Sequence, residues 1–362
     1  MYVLQISLGL VAACLLALFF STSLPVVELP APAVLPPGAQ LTLLSMAVLG
    51  DTIKIRGGES LIHHEGVLVT GTLDGFLTGF DPDTLTVRWS VECPASATGV
   101  PCRVLGLRSV GRYIYGVDLN VRLFRFSEGV FEWLLDSSTR AIVDLKPGFF
   151  NDLVVHGDLV YISDSYSEDG TSLGLLQRFF SYQPDGRVFS YNVTSREVRV
   201  VADQLRVANG LELEYGDGAL LVAEGSGFRI SRIDLVTGQV GVWAAGTLGA
   251  VDNIRRSRDG GYWIGVSSGR SRSPSYHDVI AWSPAIRYLT RYKAAAPLLY
   301  LNGLFFGEGA RFYKTDRTGN IERVFLDNDK ISGTITFSEI CEVGHFLFVG
   351  NPFSPNVFRM RL

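Results

Sequence analysis

The sequence lacks a basic face. Its 362 residues carry 32 Lys and Arg against 36 Asp and Glu, a net charge of −4 at pH 7. Nucleic-acid binding needs clustered positive charge, so that class is excluded. No Lys or Arg precedes Lys54, and no charge of either sign stands between Val3 and Phe20. With five histidines and four cysteines, no Cys/His spacing suits zinc. The uncharged run just reaches the length of a membrane-spanning helix. It is either an uncleaved anchor or a signal peptide, because small polar residues follow Phe20. The missing basic patch favours the anchor, and either form sends the chain into the secretory route.

The expected organisation is a signal-anchor or transmembrane segment over 1–23, a Pro-rich linker and lead-in over 24–50, and one domain over 51–362. Leu24 to Gly38 reads as a stiff spacer lifting that domain off the bilayer. Cys14 lies in the apolar run. Cys93 and Cys102 flank a small-residue loop that suits a local disulfide in an oxidising lumen, the alternative being two unpaired thiols. Closing so short a loop stabilises by roughly 2–3 kcal/mol. Cys341, in a strand setting, is expected to be a buried free thiol. Asn192-Val193-Thr194 is an N-glycosylation acceptor on a luminal domain.

What the sequence does have is alternation. Hydrophobic residues make up 47% of it, and six stretches repeat a short apolar strand, a turn and a second alternating strand. They begin at Gly58, Arg103, Phe150, Ala208, Val251 and Thr336. Most continue into a third strand, and Asp-Gly turns such as Asp74-Gly75 and Asp217-Gly218 punctuate them. Such repeats make an all-β propeller. The final strand, ending at Leu362, is expected to close the ring against the first blade. A segment over 271–297 breaks the pattern with helical spacing that places Trp282, Ala285, Leu289 and Tyr292 on one face. It reads as a helix packed over one end of the propeller, or else as a lid or membrane-touching element.

Equivalent positions of a circular repeat meet on its axis. Near the head of the first strand of each repeat stand Glu59, Leu105, Asn151, Asn209, Asp252 with Asn253, and Ser338 with Glu339. Glu59, Asn151 and Asn253 share one register before their second strands, and Asn209 lies further back by the length of its longer turn. Glu59 and Asp252 offer carboxylates; Asn151, Asn209 and Asn253 offer amide oxygens. A set of oxygens alone suits a hard cation, and Ca²⁺ tolerates an irregular ring of six to eight. Asn151-Asp152 and Asn209-Gly210 taken singly are also ordinary turn pairs. Asp164 and Glu224, ending second strands, read as partners for backbone or Arg groups, and none of the five histidines is expected at the ring, His277 being the one placed to overhang its mouth.

Phe149-Phe150-Asn151-Asp152-Leu153, Gly186-Arg187-Val188-Phe189-Ser190-Tyr191 and Ala208-Asn209-Gly210 resemble the strictosidine synthase-like family. Val251-Asp252-Asn253-Ile254 and Ser338-Glu339-Ile340, with the N-terminal anchor and the Cys93–Cys102 loop, resemble its animal branch, typified by the adipocyte plasma membrane-associated proteins. The resemblance implies a six-bladed propeller, single-pass type II topology and weak arylesterase activity. The wider superfamily includes the calcium-dependent paraoxonases, and by resemblance Glu59, Asn151, Asn209, Asp252 and Asn253 fall at the ligands of their catalytic ion. Two departures stand out. The region Arg103 to Arg108 holds no His where paraoxonases carry one, and Ser338 replaces the Glu with which strictosidine synthases condense an amine with an aldehyde. The expectation is a calcium-dependent hydrolase of a small-molecule ester or lactone, with Asp252 as base or water-holder. The alternative is a non-catalytic, calcium-braced propeller that binds a partner or lipid.

Overall fold

The computed structural model describes residues 26–44, 52–96, 99–136, 138–168, 174–270, 273–290, 308–327 and 336–362. The apolar run from Val3 to Phe20 lies outside them, and among the described residues no helix is long and apolar enough to cross a membrane.

Two strands precede the ring, β1 (Gln40–Leu43) and β2 (Thr52–Lys54). The first blade holds β3 (Leu61–His64), β4 (Val67–Gly71), β5 (Phe76–Phe80) and β6 (Val87–Glu92). The second holds β7 (Val104–Val110), β8 (Tyr113–Asp118), β9 (Arg122–Ser127) and β10 (Val130–Leu135). After helix α1 (Arg140–Leu145) comes the third, β11 (Phe150–His156) and β12 (Leu159–Asp164), then helix α2 (Leu175–Ser181), β13 (Gly186–Asn192) and β14 (Val198–Leu205). The fourth runs β15 (Ala208–Leu213), β16 (Ala219–Glu224), β17 (Arg229–Asp234) and β18 (Val240–Ala245). The fifth has β19 (Gly249–Arg256) and β20 (Tyr262–Gly269), helices α3 (Tyr276–Trp282) and α4 (Pro284–Thr290), then β21 (Ala310–Thr315) and β22 (Ile321–Asp327). The sixth has β23 (Glu339–Val343), β24 (Phe346–Gly350) and β25 (Asn356–Arg361). These form six sheets, each a meander whose first strand is innermost. The six innermost strands touch one another in cyclic order.

Alternation decides the packing. Each blade buries both faces, and a separate apolar cluster fills each gap between neighbours. Leu107 and Phe124 sit between the first and second blades, Phe150 and Phe189 between the second and third, and Leu211 and Val222 between the third and fourth. Ile254 and Ile264 follow, then Phe312 and Phe325, and finally Leu68 and Phe348 between the sixth and first. The last strand packs against the first blade, Val357 joining Leu61 and Leu68 and Arg359 Nη1 donating to the Asp83 carbonyl at 2.7 Å. In addition β2 comes from the N-terminal side and completes the sixth blade, pairing with β25 from Thr52↔Phe358 to Lys54↔Asn356. Main-chain hydrogen bonds thus tie the two ends of the chain together.

The lead-in is no free spacer where it is described. The Val27 amide donates to the Ala281 carbonyl and that of Ala33 to Thr247, while Arg270 Nη1 donates to the Pro30 carbonyl at 2.6 Å. β1 then pairs in parallel with the outer edge of β22. The helical insert is two helices rather than one. Ser283 is extended (φ −96°, ψ 103°), as a residue before proline must be, so Pro284 starts a new helix. With α2, these helices form a canopy on the face where the innermost strands begin. Beneath it Phe180, Tyr182, Phe228 and Ile280 make a seventh cluster.

In four blades the innermost strand carries one residue more than its partner. Val104↔Asp118 is followed by Leu107↔Gly116, Phe150↔Asp164 by Leu153↔Ile162, Ala208↔Glu224 by Leu211↔Val222, and Val251↔Val266 by Ile254↔Ile264. Such a bulge frees two residues from the alternation and re-aims their side chains. Here these pairs are Leu105-Gly106, Asn151-Asp152, Asn209-Gly210 and Asp252-Asn253. Close approach at the axis requires the two glycines. A Cβ on Gly106 would lie 2.6 Å from Asp152 Cα, and one on Gly210 only 2.5 Å from Asn253 Cα. Gly210→Ala is therefore expected to lower stability by about 1–3 kcal/mol in urea unfolding. Gly218→Ala, whose Cβ would meet nothing within 4 Å, should change it by no more than about 0.5 kcal/mol. Equal effects would contradict the close approach at the axis.

Candidate metal centre

The bulge assigns the register. Asn151, Asn209 and Asp252 hold its first position in three successive blades, and Leu105 holds it in the second blade. Asp252, not Asn253, is thus in line with the two asparagines. The sequence misaligned the pair because the β19–β20 hairpin is one residue longer than the β11–β12 hairpin, Ile254 pairing with Ile264 where Leu153 pairs with Ile162. Glu59 lies two residues ahead of β3. Its backbone is held from the sixth blade, with Ser338 Oγ donating to its carbonyl at 3.0 Å. Gly350 passes so close that a Cβ there would stand 2.2 Å from the same oxygen.

All five expected ligands are buried. The Asn209 amide hydrogen-bonds the Asp252 carboxylate, and Asn151 Nδ2 donates to Ser165 Oγ at 3.2 Å. Their remaining oxygens have no donor: Asn151 Oδ1, Asn209 Oδ1, Asp252 Oδ1 and Asn253 Oδ1 are buried without a hydrogen-bond partner. A buried acceptor left unpaired costs about 1–3 kcal/mol. Four such atoms among five residues proposed as ligands fit a site whose missing partner is a cation. Burial, together with Glu339 and Asp152 and despite Arg103 and Arg255, raises the Glu59 carboxyl from its usual 4.5 to about 7. Burial and the nearby Glu59 raise Asp252 well above the carboxylate range, against the Asn209 hydrogen bond. A divalent ion would remove both penalties. Among the described residues no three His, Cys, Asp or Glu are grouped to hold a metal; this set has two carboxylates and three amides, the oxygen chemistry of Ca²⁺ rather than Zn²⁺.

One level deeper lies a second set of charges, of which the sequence reading had placed only Glu339 near the axis. Arg108 and Arg255 stand one residue after the bulge in the second and fifth blades, opposite each other across the ring. Both reach Asp152: Arg108 Nη1 to Oδ1 at 3.2 Å, and Arg255 Nη1 to Oδ2 at 2.8 Å. Arg255 also pairs with Glu339, whose other oxygen accepts the Leu61 amide at 3.1 Å. Burial alone would raise Asp152, but Arg108 and Arg255 hold it below its usual value. The only advance signal was the shared Leu107-Arg108 and Ile254-Arg255 step.

The other candidates are structural. Asp164 accepts the Gly148 and Phe149 amides and pairs with Arg187 at 2.7 Å. Glu224 accepts the Arg206 amide and pairs with Arg229, and Asp118 does the same with Arg103 and Arg122. In the fifth blade Val266 takes that place, and two residues on, the Ser268 Oγ lies 3.0 Å from His277 Nε2. His277 is enclosed by Phe179, Phe180, Phe228 and Tyr276, and burial pushes its pKa down to about 3. It does not overhang the mouth as a base. His64 bonds Ser109 Oγ, while His63, His156 and His345 are exposed. Cys93 and Cys102 form a disulfide, and Cys341 is a half-buried free thiol. Asn192 closes the β13–β14 hairpin, its Oδ1 accepting the Thr194 and Ser195 amides.

Comparison with known proteins agrees with the propeller fold. The strictosidine synthase family model matches residues 151–236. The human adipocyte plasma membrane-associated protein is 30% identical over 322 residues, 85% of this chain and 76% of that protein. Among solved structures, a gluconolactonase from Xanthomonas campestris superposes with a TM-score of 0.56 at 15% identity, over 94% of this chain and 99% of its own. Regucalcin from Agrobacterium tumefaciens, described as a calcium-binding protein, does so with 0.56 at 13% identity, over 89% and 95%.

Raised carboxyl pKa values have a definite sign. The metal-free folded state holds these protons more tightly than the unfolded chain, so the stability they contribute is full below pH 4.5 and lost as pH rises through about 7. Chelation should therefore lower the melting temperature more at pH 8 than at pH 5. An equal drop at both would contradict an ion held by Glu59 and Asp252.

Proposed function

The chain belongs to the family of the adipocyte plasma membrane-associated proteins, and from that premise we propose that it is a membrane-anchored, calcium-dependent hydrolase of esters or lactones. The observation that carries this reading is the set of orphaned oxygens on Asn151, Asn209, Asp252 and Asn253. The calcium-binding description of regucalcin and the gluconolactonase fold-mate support it. Val3 to Phe20 is the proposed anchor of a type II protein, with the propeller luminal or extracellular and Asn192 as glycan acceptor; the name of the human relative supports a membrane location.

Glu59, Asn151, Asn209, Asp252 and Asn253 would hold the ion. Bound there, calcium supplies a Lewis acid for the substrate carbonyl and its developing oxyanion. Asp252, beside the proposed ion, would accept a proton from the attacking water or hold that water in position. The amides of Asn151 and Asn209 orient without titrating. No imidazole among the described residues joins the ring, since His277 is packed into the canopy, so turnover is expected to be modest.

One feature favours a non-catalytic reading, in which the ion only braces a lipid- or partner-binding propeller. On α3 the exposed side chains are Val279 and Trp282, both apolar. They flank Ala281, whose carbonyl holds Val27, close to where the proposed anchor joins the propeller. Tryptophan beside a span suits the membrane interface.

Hydrolysis of phenyl acetate and a lactone panel separates the two. Full-length protein that resists alkaline extraction from membranes should turn over a substrate with calcium and lose that turnover in chelator. Asp252→Asn should lower the rate about a hundredfold or more. Undiminished activity in chelator contradicts the hydrolase. Calcium-dependent stability with no turnover on any substrate establishes the non-catalytic reading.

A further inference from the structure

The two levels of the axis differ in how their charge is balanced. Above, among the described residues, Asp252 Oδ1 and the amide oxygens of Asn151, Asn209 and Asn253 lack donors. Below, Asp152 and Glu339 are as deeply buried, yet two guanidiniums satisfy them. The oxygens around those guanidiniums resemble a hard-cation shell. Arg255 Nη2 meets Asp152 Oδ1 at 3.2 Å, Ser60 Oγ at 3.4 Å and also Glu339. Arg255 Nη1 meets the Ile254 carbonyl at 2.7 Å. Arg108 takes the carbonyls of Leu107 at 2.8 Å and Leu211 at 2.6 Å. Two carboxylates, a hydroxyl and three carbonyls are thus shared among the four terminal nitrogens of these two guanidiniums.

We propose that Arg255, with Arg108, is a built-in counter-cation filling a second cation site beneath the first, so that the axis takes one divalent ion per chain.

The backbone supports this division. Ser60 follows Glu59 and Asp152 follows Asn151, so in two blades one residue serves the upper level and its neighbour the lower. Arg108 and Arg255 come from opposite blades and meet on one carboxylate, which fills the axis with side chains at that depth. A ligand of the upper site therefore enters from the canopy face. A guanidinium cannot be deprotonated in a protein and is not removed by chelator, so the lower brace holds the ring whether or not the upper site is loaded. Removing one partner of such a buried pair leaves uncompensated charge, which is strongly unfavourable. Because Arg108 also holds Asp152, both arginines must go, as in Arg108→Met/Arg255→Met, to leave Asp152 and Glu339 as two buried carboxylates without their counter-cations.

The inference rests on the calcium reading of the upper site, and one experiment distinguishes the two. Calcium bound per folded chain is measured on the full-length protein by native mass spectrometry and by titration with calcium chloride. The wild type is expected to bind one ion and the double variant Arg108→Met/Arg255→Met two, with the variant losing more melting temperature in chelator than the wild type. A wild type that binds none removes the upper site and this proposal with it. A wild type and a double variant that both bind one ion overturn the proposal alone. Should the double variant fail to accumulate, the variant combining it with Asp152→Asn and Glu339→Gln decides. The proposal requires that neutralising all four charges restore a folded chain that binds one ion, and failure to restore it overturns the proposal.

Discussion

One extra residue on the innermost strand, repeated at the same height in four blades, is the constraint on which the rest of the structure depends. Strict alternation would send Asn151, Asn209 and Asp252 into the apolar gaps between blades, where their polar atoms would be stranded. The bulges at Phe150–Leu153, Ala208–Leu211 and Val251–Ile254 instead free them from that pattern at the heads of the innermost strands. Gly106 and Gly210 are needed for the same reason, since the bulged backbones approach too closely for a side chain. The inter-blade clusters and the closure through β2 hold the six strands at that spacing.

Charge at the axis follows from the same geometry. A bulge supplies two freed residues, so each blade can contribute to two levels. The lower level is neutralised from within by Arg108 and Arg255. The upper one is left with two carboxylates that burial makes unfavourable as anions. A protein that had only to be stable would do better with apolar groups there. Buried, unpaired oxygens kept in adjoining blades are the mark of a site built for something that is not part of the chain.

Much of this was legible in the sequence because repeats expose equivalent positions. Alternation and turn spacing gave the blades, and aligned Asn and Asp residues gave the buried set proposed to hold the ion. Asp164 and Glu224 were readable as partners of backbone and arginine. Three things were hidden, each for a physical reason. The β19–β20 hairpin is one residue longer than the β11–β12 hairpin, which spacing alone does not reveal, so Asn253 was aligned where Asp252 belongs. Ring closure by β2 depends on tertiary pairing between Ile53 and Val357, far apart in the chain. Arg108 and Arg255 look like ordinary strand arginines until the ring sets them face to face.

The central claim is that oxygens from the first, third, fourth and fifth blades share one ion. Its most direct measurement is anomalous diffraction from crystals grown with calcium. The account predicts one peak on the axis, within about 2.3–2.6 Å of oxygens from Glu59, Asn151, Asn209 and Asp252. A loaded crystal with no peak there, or with its calcium bound only at surface acids, would contradict it.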